Sequence, residues 1–544
     1  MGIHFSHDST IAFSPDGKNF VSYELERLTK ERYFPIDYKF INRKPYLNSQ
    51  SEFIAKTVAE HIVKDYGQEA LTIDSLTVDQ LYPAPEVEAN RLDFFSCLRK
   101  HFNITCEPKP IDHHRAHAFS AFYQSPFDEA LVVSFDGGGQ KANGQDAQFF
   151  TIHYMNKNGK DRLIVDNNIH ICSLYNAFPY LTKDIRGNIN SVPGKAMGMQ
   201  SYGVVFDKLY ERLKPYFYGF NWYYTVPDSE DTAYIDNRMI YQIVEDIFGV
   251  NARKDKLDFW QGADLLATVQ YLFEEVVIET LKPYVYKYNL PIVMSGGGAL
   301  NVLTNTRIKN EFKLPVFVPC NPNDTGTAIG GILDIIKPKE QVNLAFSNFD
   351  LFDRNDLMAN VIKRNGRKVN NTELISLIRQ GKIIGIVKGR SECGPRALGN
   401  RSIICDPSFK NIKDILNQKV KQREWYRPFA PMVLQHEANE YFVWDNSPAP
   451  YMSFSAHVRS KYQEQLASVT HVDYSARIQT VNEQDNPWYY ELLNQMKETG
   501  LPVLLNTSFN IRGAPILNTI EDAFYVLDNT ELDYLVVENY IFSK

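Results

Sequence analysis

The stretch Ala130-Leu131-Val132-Val133-Ser134-Phe135-Asp136-Gly137-Gly138-Gly139 reads as an apolar strand that runs into a tight glycine turn opened by an acid. Beyond it, Gln148 to Tyr154 and Leu163 to Asp166 alternate apolar and polar positions across Asn156-Lys157-Asn158-Gly159, which predicts a hairpin. The same order opens the chain. Gly2 to Phe5, Thr10 to Phe13 and Phe20 to Leu25 are three short alternating runs, the last two joined by Pro15-Asp16-Gly17-Lys18. Two copies of one strand-and-hairpin unit are therefore expected, with little residue identity between them.

Each copy sets an acid and small residues at its first turn, where backbone amides can face a phosphate. Gene-duplicated, actin-like ATPase folds share this layout. A further apolar strand, Pro291 to Met294, leads into Ser295-Gly296-Gly297-Gly298 and then a helix from about Leu300. A nucleotide suits these turns, with Gly137, Gly138, Gly296, Gly297 and Asn301 as its candidate contacts. Asp324-Thr325-Gly326-Thr327 begins another helix, with Ala328, Ile329, Ile332 and Leu333 on its apolar face and Asp324 near its cap. The first domain is expected to end near Lys339, dividing the chain into 1–340 and 341–544.

The 544 residues are 44% hydrophobic and 23% charged, which excludes a disordered chain. A formal net charge of -7 gives no reason to expect bulk nucleic acid or an anionic membrane as partner. Apolar runs fall far short of the ~20 residues of a membrane span and no signal peptide is apparent, so a cytoplasmic protein is expected. Six cysteines without a C-x-x-C spacing read as reduced thiols. Against this acidic background, Lys382 to Arg427 holds eleven Lys or Arg and only Glu392, Asp406, Asp414 and Glu424 as acids. Those cations alternate with Gly, Pro and aromatics instead of forming a solvated helical stripe, which predicts a phosphate site.

His113, His114 and His117 crowd into D-H-H-R-A-H. On a helix His113 and His117 share a face and can reach one divalent cation, although such a pair taken alone is more often surface or core histidines. Asp136 and Asp324 would complete a set of two nitrogens and two oxygens, suited to iron, manganese or zinc alike. His7-Asp8 follows the first strand, where the imidazole is either a general base toward a hydroxyl or a cap on the strand end. Gly389 to Ser402 combines glycines that admit an anion to the backbone with arginines suited to phosphate. Lys421, Arg423 and Arg427 follow, then Arg477, then Asn506-Thr507-Ser508-Phe509-Asn510 after the strand Val503 to Leu505, placing cations and hydroxyls on loops. No G-x-x-x-x-G-K-[ST] string is present.

Taken in order, H-D-S at His7, H-H-R-A-H-A, D-G-G-G, G-K-A-M-G-M at Gly194, G-G-G-A-L-N, D-T-G-T-A-I-G, G-P-R-A-L-G-N-R-S, K-Q-R-E-W-Y-R-P-F-A-P, H-V-D-Y-S-A-R and N-T-S-F-N resemble the NodU/CmcH family of O-carbamoyltransferases, which includes tobramycin carbamoyltransferase. The resemblance implies an α/β (α+β) protein with two folds. The N-terminal one would be a duplicated actin-like (ASKHA) fold akin to the tRNA threonylcarbamoyladenosine ATPase, and the C-terminal one a YrdC-like α/β domain. It further implies an ATP-dependent enzyme in two steps, with Mg-ATP as co-substrate. Carbamoyl phosphate and ATP would give carbamoyl adenylate, and an acceptor hydroxyl would then attack it. The resemblance puts the metal, Fe(2+) first with Mn or Zn as alternatives, on His113, His117, Asp136 and Asp324. It puts the catalytic histidine on His7 and the adenylation site on Arg396, Lys421, Arg427, Arg477, Asn506 and Ser508, with Lys421 and Arg396 as catalytic cations. Because such intermediates hydrolyse readily, both halves should be needed in one molecule.

A tRNA threonylcarbamoyl-type transferase would need a basic path for RNA outside the catalytic loops. An actin-like sugar kinase or ATPase would leave the second arginine-rich half without a task. The segment from Asp228 to Asp255 carries no motif for an acceptor, which stays open among small molecules, sugars and modified nucleotides. Oligomeric state, a homodimer included, and ATP binding in the first domain are likewise left open.

Overall fold

The computed structural model describes residues 1–36, 48–79, 85–144, 147–218, 224–225, 234–235 and 238–544. Residues 228–233 and 236–237 of the segment 228–255, which carries no acceptor motif, lie outside the described residues. The chain is mixed α/β and divides into two compact units, Met1–Glu26 with Tyr33–Asn343, and Leu344–Lys544 with the early segment Arg27–Arg32.

The first unit holds two five-stranded sheets of the same strand order. In the first, β1 (Gly2–His4), β2 (Thr10–Phe13) and β3 (Val21–Glu24) form an antiparallel meander, and β4 (Thr77–Asp79) and β5 (Lys109–Ile111) add in parallel beside β1, giving the order β3-β2-β1-β4-β5. In the second, β6 (Glu129–Gln140), β7 (Ala147–Asn156) and β8 (Asp161–Asn167) form the meander, and β9 (Ile292–Ser295) and β10 (Val316–Phe317) extend it in parallel beside β6. Helices precede and follow each parallel strand: α1 (Asn48–Tyr66), α2 (Pro85–His101) and α3 (His113–Gln124) in the first copy, α4 (Phe259–Tyr288), α5 (Val302–Phe312) and α6 (Thr327–Ile336) in the second. The repeat expected from the alternating runs is thus present as topology.

Two local expectations change. Asp136 to Gly139 is not a turn but an irregularity inside the long strand β6, whose pairing jumps from Phe135 with Phe150 to Gly139 with Gln148. Two surplus residues bulge from the ladder there, and Gly138 at a φ of 140° takes a conformation that only glycine adopts readily. The helix expected from Leu300 starts at Val302, because Gly297–Leu300 first forms a 3₁₀ turn and the Asn301 side chain caps the helix by accepting from Thr304.

Helix α6 carries the closest packing in this unit. A methyl group on Gly330 would stand 1.9 Å from the Ala116 carbonyl oxygen in α3, and one on Gly2 would stand 2.0 Å from the Ala328 carbonyl oxygen. The run T-A-I-G-G-I-L therefore gives up helix propensity, about 1 kcal/mol per glycine relative to alanine, in exchange for backbone contact with α3 and the first sheet.

The second unit is built on one nine-stranded sheet. Its strands are β11 (Arg367–Lys368), β12 (Ile384–Val387), β13 (Arg401–Cys405), β14 (Ala430–Leu434), β15 (Phe454–His457), β16 (Ser475–Val481), β17 (Val503–Ser508), β18 (Tyr534–Val537) and β19 (Tyr540–Ser543), in the order β11-β19-β18-β12-β13-β17-β14-β16-β15. Helices α7 (Asn371–Arg379) and α8 (Pro487–Met496) bury Leu374, Ile375, Ile378, Leu492, Leu493 and Met496 with Ile384, Ile404, Met432 and Leu504 of the sheet. Arg27, brought in from the start of the chain, is buried and donates to the Gly394 and Ile516 carbonyls.

Gly330→Ala should lower the unfolding free energy of the first unit by about 1–3 kcal/mol, the usual cost of overpacking. Denaturant titration of the full chain reads this, and an unchanged transition would mean that α6 does not need to touch the α3 backbone.

Candidate active site

The two copies bring their equivalent ends together. His113 and His117 stand on the first turns of α3, and Asp324 stands in the 3₁₀ turn just ahead of α6. Close packing of those helices sets Asp324 Oδ1 3.5 Å from His113 Nε2 and 3.3 Å from His117 Nε2. Asp136, from the bulge of β6, completes the group with Oδ2 3.2 Å from His117 Nε2. All four donor atoms lie within 4.8 Å of one another. Both imidazoles are fully buried, and their Nε2 atoms face each other at 3.1 Å. Donors about 2.0–2.2 Å from a common tetrahedral centre would be about 3.4 Å apart, so these spacings fit a first-row divalent cation.

The glycines that the sequence offers to a nucleotide have specific tasks here. The amides of Gly137 and Gly297 donate to the two oxygens of Asp136, at 2.9 Å from Gly297, and so fix that carboxylate. A Cβ on Gly296 would stand 2.3 Å from the Phe135 carbonyl oxygen, and Gly138 lies against the Phe149 ring. The Asn301 side chain, besides capping α5, exchanges hydrogen bonds with Gln270. A Cβ on Gly139 would fall 2.0 Å from the His113 ring, so the third glycine of D-G-G-G makes room for a ligand histidine.

His7 lies at the edge of the cluster, a quarter exposed, with Nε2 3.4 Å from Asp324 Oδ2 and Nδ1 3.2 Å from Asp8 Oδ2. Burial opposes its protonation, but Asp324, Asp8 and Asp136 outweigh that and raise its pKa to about 9. Asp8 holds a left-handed backbone, φ 63°, in a turn pinned by bonds from Ser9 Oγ to the Phe5 and Ser6 carbonyls and from Thr10 Oγ1 to the Asp8 carbonyl. Two residues that sequence reasoning passed over join this group: His4, at the end of β1, and Asp79, at the end of β4. Each reads locally as one polar residue closing an apolar run, and only the pairing of β1 with β4 sets them side by side.

In the second unit, Lys421 follows a π-helical turn, Leu416–Val420, an irregularity common at functional sites. Its buried ammonium donates to the Ser508 carbonyl at 2.6 Å, to Ser508 Oγ at 3.1 Å, to the Asn510 carbonyl at 2.9 Å and to Asn510 Oδ1. Burial and the charges of Arg423, Arg427 and Arg32 push its pKa well below the ordinary lysine value. Arg477 is likewise lowered by burial and by Arg396, Arg423 and Arg427, so the structure does gather the cations of this half. Arg423, which lies in the motif K-Q-R-E-W-Y-R but is not among the adenylation residues that the resemblance implies, donates to Asn417 and the Pro428 carbonyl and belongs with them.

Two expectations for this half are corrected. Asn506 to Ser508 is not loop but the end of β17, paired with β13, and Asn506 spends its amide on the Ala397 carbonyl and Gln479. The backbone of the glycine loop does not await an anion from outside. The buried Glu392 carboxylate already accepts from the amides of Leu398, Gly399, Asn400 and Arg401, at 2.8–3.0 Å. Arg401 is buried and donates to carbonyls of Lys388, Gly389 and Asn400, which leaves Arg396 as the member of G-P-R-A-L-G-N-R placed near the other cations.

Residues 1–333 match the family model described as carbamoyltransferase N-terminus, and residues 375–544 match the one described as carbamoyltransferase C-terminus. An uncharacterized protein of Synechocystis sp. is 30% identical over 99% of this chain and 95% of its own length. The nodulation protein NolNO of Sinorhizobium fredii is 30% identical over 99% of this chain and 79% of its own. Among solved structures, full-length HypF in its phosphate- and nucleotide-bound form aligns at a TM-score of 0.31 and 11% identity over 61% of this chain and 47% of HypF, too remote to inform the site. The chain belongs to the carbamoyltransferase family, of the NodU type that its motifs resemble, and is a carbamoyltransferase enzyme.

Glu392→Ala would strand four amides in the interior, at about 1–3 kcal/mol for each one left without water or another partner. A lower urea midpoint for the second unit is expected, and a midpoint equal to that of the unaltered protein would show that the loop holds itself.

Proposed function

We propose that the enzyme makes carbamoyl adenylate from carbamoyl phosphate and ATP in its second unit and passes the carbamoyl group to an acceptor hydroxyl in its first. The observation that carries this reading is the gathering of Arg396, Lys421, Arg423, Arg427 and Arg477 in the second unit, Lys421 buried and the arginines half-buried, with their like charges repelling one another. Such a set is relieved by polyanionic ligands, and two phosphorylated substrates supply them. On this reading the first unit is the duplicated actin-like fold and the second the YrdC-like one.

In the adenylation step, water releases inorganic phosphate from carbamoyl phosphate and leaves carbamate. The carbamate oxygen attacks the α-phosphorus of ATP, forming the mixed anhydride and releasing pyrophosphate. Arg396, Arg427 and Arg477 hold the phosphate oxygens in line and offset the charge that develops on them, while Lys421, anchored to Ser508 and Asn510, sets the floor of the site. Asn506 holds the loop that carries Arg396 through the Ala397 carbonyl.

In the transfer step, His113, His117, Asp136 and Asp324 would hold a divalent cation, iron(II) first, which supplies Lewis-acid polarisation of the carbamoyl carbonyl. Asp8 orients His7 through Nδ1. The charges of Asp324 and Asp136 that keep His7 protonated would be offset by a cation held between them, and the neutral His7 Nε2 then takes the proton of the acceptor hydroxyl as the new C–O bond forms and AMP leaves. The acceptor is an alcohol on a small molecule, a sugar or a modified nucleotide.

Incubating the protein with ATP, carbamoyl phosphate and iron(II) without acceptor should release pyrophosphate, and a protein that releases none would refute the adenylation step. His7→Ala should keep that release and lose carbamoyl transfer in a screen of hydroxyl acceptors. Loss of both together would reduce His7 to a structural residue.

A further inference from the structure

His4 and Asp79 are fully buried, sit in register on the adjacent parallel strands β1 and β4, and have no part in the chemistry described so far. One carboxylate oxygen, Asp79 Oδ2, lies 2.9 Å from His4 Nδ1 and 2.9 Å from His113 Nδ1. His113 therefore carries its proton on Nδ1 and presents its Nε2 lone pair toward Asp324 and His117. His4 Nε2 donates to the His7 carbonyl at 3.0 Å, the first peptide of the strained turn that holds Asp8 at positive φ. A continuous chain thus runs from His113 through Asp79 and His4 to the His7 turn.

A purely structural account fits this group poorly. An apolar pair on two neighbouring buried strands would pack at least as well without the cost of desolvating a carboxylate and two imidazoles. The second oxygen, Asp79 Oδ1, is buried without a hydrogen-bond partner among the described residues, which a pair kept for stability alone would not leave unsatisfied.

We propose that Asp79 and His4 are a positioning pair: Asp79 locks the His113 imidazole in the orientation that serves the cation, and His4 couples that lock to the turn carrying His7. The inference rests on the cation reading of His113, His117, Asp136 and Asp324. Carboxylates that accept from the far nitrogen of a ligand histidine are typically worth 10–100-fold in metal affinity.

The test is Co(II) titration of the full chain, followed by visible absorption. Asp79→Asn should bind Co(II) 10–100-fold more weakly and shift its ligand-field bands, with the far-ultraviolet circular dichroism of the unaltered protein. Unaltered affinity and bands in Asp79→Asn would overturn the proposal. Should that variant fail to fold, His4→Asn carries the same test: at least threefold weaker Co(II) binding supports the pair, and unchanged binding overturns it. If the unaltered protein takes up no Co(II), or if His117→Ala binds it as well as the unaltered protein does, the cation reading itself falls, an outcome distinct from failure of the positioning pair.

Discussion

The first unit depends on how closely helix Thr327–Ile336 approaches helix His113–Gln124 and the first sheet. Gly330 lies against the Ala116 carbonyl and Gly2 against the Ala328 carbonyl, distances that no side chain permits. Because the two helices are equivalent elements of two copies of one topology, their packing brings the start of each to a common point. His113 and His117 come from one copy and Asp136 and Asp324 from the other. Neither copy has the set alone. Close helix contact between two units of the same strand order builds this four-donor cluster.

The same economy governs charge. The first unit balances its buried imidazoles with carboxylates, each of which does more than one thing: Asp324 touches His4, His7, His113 and His117, and Asp79 bridges two rings. In the second unit, two acids of the cation-rich stretch are engaged away from its clustered arginines. Glu392 is spent on four backbone amides, and Asp406 pairs with Arg379, while Glu424 stands 3.7 Å from Arg427. On the proposed function, the first half would hold a cation and the second would receive phosphates.

Particular elements show what local sequence can carry. The meanders, the apolar strand Ile292–Ser295 and the helical spacing of His113 and His117 follow from hydrophobic patterning and periodicity, which are properties of a few neighbouring residues. D-G-G-G misled, because glycine next to an acid favours a turn locally, whereas pairing with Ala147–Asn156 stretched it into a bulged strand. The glycine loop after Arg390 misled for a related reason. Its amides do bind an anion, but the anion is Glu392 of the same loop, and nothing in the linear order tells an internal carboxylate from an external phosphate.

From its sequence alone this protein declares a duplicated strand-and-hairpin pattern, a cation-rich second half and the histidine pair, since each of these is written in spacing or composition, and it carries a string of motifs that resemble those of the carbamoyltransferases. Only tertiary structure decides that Asp79 bridges His113 and His4, that Arg477 reaches Arg423 and Arg396, and that Arg27 packs with the second unit. Those facts rest on contacts between residues tens to hundreds of positions apart, where strand register and helix approach, not local propensity, set which atoms meet.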